Sequence, residues 1–289
     1  MSQGGFQGDF QKMGHSLQPV YIQSFRVTKN HSHKKAIKNL RYASVGGFCL
    51  WLNATFAIMS PQMTAKEIQR RIERIVEIGN KTPCDTIKTK SISTDCGIVL
   101  SYIKKAFHGV QCVNERNVLL CCEALDDYAP DGLLEQIGVL EERTDWQRLS
   151  ASLLNECDCA LSYAGPEAFR FLIPAFMCAY IQYDISPDIP LKLSIFEHDN
   201  DEVKDYFRYQ CSLLNQSQQS AISLFMAQMR IEEEDDNEEE DDNDKWSDSY
   251  GLLPWEWDEY HHYYRYLSTI QYKKLLNERY ISLLREIEI

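Results

Sequence analysis

The chain has 289 residues, 44% of them hydrophobic and 11% aromatic, enough for one large or two ordinary domains with a sizeable core. Its formal net charge is −13, yet eleven acids fall between Glu232 and Asp244, and removing those eleven leaves −2. The remainder is electrostatically ordinary and gives no case for direct nucleic-acid binding, which needs a basic face.

Residues 1–42 read as a flexible arm: few apolar residues, no sustained period and several glycines, without the apolar stretch of a secretory signal. Residues 43–60 carry no charge and follow Lys34, Lys35, Lys38 and Arg41. Eighteen uncharged residues behind a basic flank fit either a buried core segment or a membrane anchor. Gly46, Gly47 and Asn53 dilute the run and favour the core. Thr64, with Glu67 three residues on, forms a capping box for a helix that carries Ile68, Ile72, Ile75 and Val76 and ends at Gly79 and Asn80. The apolar segment and this helix make a unit over 43–80, and the polar stretch 81–97 reads as a linker.

The block 98–289 reads as a helical domain. A first helix face, Ile98, Val99, Tyr102, Ile103, Ala106 and Phe107, stops at Gly109. A second helix spans 117–128. Thr144, with Gln147 at N3, starts a third whose buried stripe is Trp146, Leu149, Leu153 and Leu154. The run 160–184 is apolar almost all the way round, so it belongs at the centre of the core, with Pro166 in its first turn and Pro174 placed to kink or restart it. Ile185 to Phe196 is a strand candidate weakened by Pro187 and Pro190. Asn215 or Ser217 caps a helix through Met229. The acid-rich stretch 231–245 cannot bury apolar area and reads as a disordered loop. A last helix, roughly 258–287, turns Leu267, Ile270, Leu275, Tyr280 and Leu284 inward. The fold class expected is mainly α: a helical domain packed around a central buried helix near 160–184.

Several of these blocks carry a family pattern: Tyr102 to Phe107, Cys122 to Asp127, Thr144-Asp145-Trp146, Leu161-Ser162-Tyr163, Glu167 to Phe171, Ile173 to Phe176, and Leu214-Asn215 with Gln218 to Phe225. Their order over about 98–229 resembles a bacterial family of small, mostly helical domains of unknown function. Gly165-Pro166-Glu167 stands where that family has serine, proline and glutamate, and Ile173-Pro174-Ala175-Phe176 where it has leucine, proline, alanine and an aromatic residue. The resemblance implies a helical fold and a bacterial origin, and brings no activity.

Candidate chemistry is sparse. Glu167 and Arg170 sit at i and i+3 on an apolar helix. Arg170 is expected either to bridge to Asp126, Asp127 or Asp145, or to reach a groove and hold an anion. Those aspartates with Glu123 make a possible carboxylate cluster, but their spacing is not that of a metal site, and no metal or cofactor is expected. His31 with His33 and His261 with His262 lack a third ligand at zinc spacing. Ten cysteines form no small-domain disulfide framework; they read as buried thiols of a cytoplasmic protein, with an inner-membrane anchor as the alternative if 43–60 spans a bilayer. Phosphate-loop, serine-hydrolase and kinase motifs are absent from the sequence.

The leading functional reading is a non-catalytic interaction module. It binds a basic protein through Glu234, Asp236, Glu239 and Asp242 and the adjacent Trp246, Trp255 and Trp257, a pattern that also fits an immunity or antitoxin role. The rival reading is a hydrolase-type enzyme whose polar cleft is built from Asp126, Asp127, Asp145 and Arg170.

Overall fold

The computed structural model describes residues 63–81, 87–196, 199–236 and 250–287. The expected arm over 1–42 and the apolar segment 43–60 lie outside the described residues, as does most of the acid-rich stretch. The described chain is helical throughout, with two isolated β-bridges, Thr89 with Tyr183 and Ile195 with Leu252, in place of strands.

Helix α1 (Ala65–Gly79) has the capping box read from Thr64 and Glu67, and buries Ile68, Ile72 and Ile75 on one face. Helix α2 (Thr94–Ala106) starts from Ser93, inside the stretch expected to be a linker. It ends at Phe107, two residues before Gly109 takes the left-handed φ of 72°. Helices α3 (Leu119–Asp126) and α4 (Asp131–Gly138) follow. The third expected helix is divided. Asp145, not Thr144, caps a single 3-10 turn at Trp146–Arg148, and Ser150 caps α5 (Ala151–Glu156).

The central run is also divided, into α6 (Ala160–Tyr163) and α7 (Pro166–Gln182). Proline pushes the residue before it out of the helical region, and Gly165 is extended at φ −74° and ψ 179°. Pro174 does not restart the helix: α7 runs through it unbroken. Thirteen of the seventeen residues of α7 are buried, so packing on all sides holds the turn where proline lacks an N–H. Helices α2, α5 and α6 pack against α7, together with α8 (Ile189–Lys192) and α9 (Asp201–Gln210). Helix α8 lies within the stretch considered as a strand.

Helix α10 (Gln216–Asp236) starts from a reciprocal Asn215–Gln218 box and lies along α2. It continues through Asp236, so the first acids of the expected loop are helical. The C-terminal helix is interrupted as well: α11 (Pro254–Glu259) passes into a π-turn at Tyr260–Tyr264, and α12 (Thr269–Ile287) begins after Ser268. Helix α12 packs on α10 and α2.

The segment entering α11 is threaded tightly. Leu252 and Ile195 exchange backbone bonds of 2.9 and 2.7 Å. A Cβ on Gly251 would lie 2.2 Å from the Ile195 carbonyl oxygen. Gly251→Ala is therefore expected to cost about 2 kcal/mol in urea unfolding, since the backbone must move to admit the methyl group.

Candidate functional site

The polar residues singled out from sequence occupy the head of α7 and the neighbouring α3. Neither helix has a local side-chain cap. Each is capped by a glutamate distant in sequence. Glu115 Oε2 accepts from the N–H groups of Glu167 and Ala168, at 3.1 and 3.2 Å. Glu141 accepts from Leu119, Leu120 and Cys121, at 3.1, 3.2 and 2.8 Å. A carboxylate there satisfies orphan N–H groups and complements the helix dipole.

Glu167 returns the contact. Its carboxylate accepts from Val113 at 2.7 Å and Asn114 at 3.2 Å. The loop 112–118 and the head of α7 are thus joined by two carboxylates running in opposite directions. Burial raises the Glu167 carboxyl, but the Val113 and Asn114 bonds and the nearby Arg170 charge outweigh it and hold it below the usual range. Arg143 closes the other side of the loop, donating to the carbonyls of Glu115 and Arg116 and accepting from Cys112 N–H at 2.9 Å. Glu142 gathers the N–H groups of Arg143, Thr144 and Asp145. Burial works against that carboxyl, yet the Thr144 and backbone bonds bring it down to about 2.

The candidate cleft residues do not join one another. Asp126 accepts from the Tyr163 hydroxyl at 2.9 Å. Asp127 pairs with Arg71 of α1. Asp145 caps the 3-10 turn through Gln147 N–H at 3.0 Å and lies 3.9 Å from Arg148. Arg170 forms no ion pair with any of the three, and its Nε is buried without a partner. The bridge expected from Arg170 to these acids is therefore absent. Each acid is held by a nearer donor instead.

A second polar cluster lies under α1. The Arg71 guanidinium bridges Asp127 and the fully buried Glu123. Glu123 also accepts from Cys159 N–H at 3.1 Å. Glu123, Asp158 and Cys159 each bring a potential ligand atom within 4.8 Å of the others. Arg71 already supplies the positive charge there, so the three acids and one arginine read as a structural cluster. Sequence patterning could not place Arg71, which reads as a residue on the exposed face of an amphipathic helix.

The residues expected to bind a partner divide. Glu239, Asp242 and Trp246 lie outside the described residues; so do the side chains of Glu234 and Asp236, although both belong to α10. Trp257 is buried, with the Lys204 ammonium 4.5 Å above its ring. Trp255 is half-buried and donates its indole N–H to Ser223 Oγ at 2.8 Å. Both rings therefore anchor α11 to the core and do not present an aromatic hot spot. The exposed tyrosines of this region among the described residues are Tyr263 and Tyr266, 65% and 76% exposed. The eight described cysteines are all buried and unbridged. Burial pushes thiols such as Cys121 and Cys178 up to about 12, away from a reactive thiolate.

Burial pushes the Glu123 carboxyl up to about 7 against the pull of Arg71, with the Asp158 charge adding to the rise. A carboxyl raised in the folded state binds its proton more tightly there than when unfolded, so its contribution to stability falls as pH rises through the interval from 4.5 to about 7. Glu141, also raised by burial, acts in the same direction. Urea midpoints are therefore expected to decline between pH 5 and 7, and Glu123→Gln removes on the order of 1–3 kcal/mol of that decline. A variant with the wild-type slope contradicts the assignment.

No curated protein and no solved structure matches the chain. The model of a family of unknown function, DUF6714, matches residues 98–250, from Ile98 in α2 through α10 to Tyr250, just before α11. That is more than half of the chain, and it contains both carboxylate-capped helices; the protein belongs to the DUF6714 family of unknown function.

Proposed function

We propose that this protein is a non-catalytic bacterial interaction module of the cytoplasm, and that it captures a basic partner protein through the acids between Glu232 and Asp244. The observation that carries this reading is the separate engagement of Asp126, Asp127 and Asp145, none of which meets Arg170. The three aspartates of that cleft serve within the fold instead, as an acceptor for Tyr163, a counter-ion to Arg71 and a cap. The charge left over for a partner is concentrated in the acid-rich segment. Helix α10 supports its presentation, because the helix leaves the core and continues into that segment as far as Asp236. An acidic strip steers a basic protein at long range and contributes more to encounter rate than to fold stability. Buried, unbridged thiols suit a reducing compartment.

The test uses the tagged full-length chain against a variant in which the acids from Glu238 to Asp244 are changed to Gln and Asn. Both are incubated with extract of the source cells, and bound proteins are identified by mass spectrometry. The reading predicts one basic protein that is released by ~0.5 M salt and is lost with the variant. The melting temperatures of the two chains should agree within about 2 °C, since surface charge changes rarely alter stability much. Equal capture by both chains contradicts the reading.

A further inference from the structure

Helix α12 rests on a buried face that is largely polar. Its described buried residues are Tyr272, Leu276, Asn277 and Tyr280, of which Leu276 alone has a purely hydrocarbon side chain. Beneath it lies the buried pair Arg230–Glu256, joined by one bond of 2.9 Å. Tyr272 and Tyr280 are close enough to that pair to feel its charge. The pair is incompletely satisfied: Arg230 Nε and Nη1 and Glu256 Oε1 have no partner, and neither has Asn277 Oδ1 on α12. All four atoms are shut off from water. Unmade bonds to buried polar groups are regained when the groups are hydrated, so opening at this place is cheaper than its buried area suggests.

The connection to α12 has the form of a hinge. The π-turn at Tyr260–Tyr264 breaks the α-helical register, and such turns are rare outside functional or strained positions. Ser268 then restarts the chain with its own reciprocal box: its N–H donates to Gln271 Oε1 at 2.9 Å, and Gln271 N–H donates to Ser268 Oγ at 3.2 Å. Helix α12 therefore does not depend on a neighbour for its start. An exposed bidentate pair, Arg279 with Glu259 at 2.8 and 3.2 Å, ties it back to α11.

We infer that α12 is a displaceable strap, hinged over residues 260–268, which lifts from α10 and α2 as one unit while the helices around α7 stay closed. The Arg279–Glu259 pair is its latch. The strap lies beyond the region shared with the family, residues 98–250. The face it covers belongs in part to α10, the rod that leads into the acidic segment, so opening exposes new surface on that same rod. The inference stands independently of whether the acids bind a partner.

Amide hydrogen exchange followed by mass spectrometry on the full chain tests it. The α12 amides should exchange about tenfold or more faster than those of α7, at one rate along the helix, as expected for a local cooperative unit. Arg279→Gln, a change at a partly exposed residue, should raise the α12 rate several-fold further and leave α1 and α7 unchanged. Protection of α12 equal to that of α7 overturns the inference. So does a rate that climbs steadily toward Ile287, which is end fraying, or an Arg279→Gln effect shared equally by α7.

Discussion

The head of α7 is fixed by two glutamates, each holding backbone of the segment that carries the other, and the rest of the core depends on that grip. Glu115 caps Glu167 and Ala168, while Glu167 collects Val113 and Asn114. A helix buried on nearly every side presents no solvated face to orient it. Its terminal N–H groups are the polar feature that must be answered, and an uncapped buried helix end is costly. Gly165 leaves room for the Glu115 carboxylate in its capping position, since a Cβ there would lie 1.7 Å from Glu115 Oε1 and would displace it. The loop that carries Glu115 is itself held by Arg143, so one arginine, two glutamates and one glycine define where the central rod begins.

The same economy explains why an acidic protein shows so little accessible chemistry in its folded body. Glu141 caps α3, Glu142 organises the turn before Trp146, Asp126 holds Tyr163, and Glu123 and Asp127 receive Arg71. The last contact joins α1, which precedes the family region, to α3 within it. At the opposite end, Arg230–Glu256 joins α10 to α11, but there the fork of each partner is half unused. The two appended parts thus differ in kind: α1 is clamped by a doubly engaged arginine, and α12 lies over a pair that is poorly satisfied.

What was legible in the sequence was local. The Thr64–Glu67 box and the greasy character of 160–184 are properties of neighbouring residues, and the structure has both; the helix expected to stop at Gly109 ends at Ala106, and Gly109 takes a left-handed turn just beyond it. The division at Gly165 was also present in principle, since Pro166 forces it; hydrophobicity alone hid it. The remote caps had no local signal, because Glu115 lies fifty-two residues from the N–H it satisfies. The last helix shows a different failure. Leu267 and Leu275 are only half-buried while Tyr272 and Leu276 are fully inside, because the π-turn and the Ser268 restart shift the register that a single continuous helix from 258 would have had. Beside an acidic run, Trp255 and Trp257 suit either a partner contact or a cover for the core, and their rings take the second place.

A double-mutant cycle at the head of α7 tests the central claim most directly: urea unfolding of Glu115→Gln, Glu167→Gln and the two together. If the two carboxylates join the loop and the helix head as a unit, each single change costs about 1–2 kcal/mol and the double costs less than their sum by roughly 0.5 kcal/mol or more, because the first loss already frees the loop. Two small, strictly additive effects would mean that the rod is held by apolar packing alone, and would contradict the account.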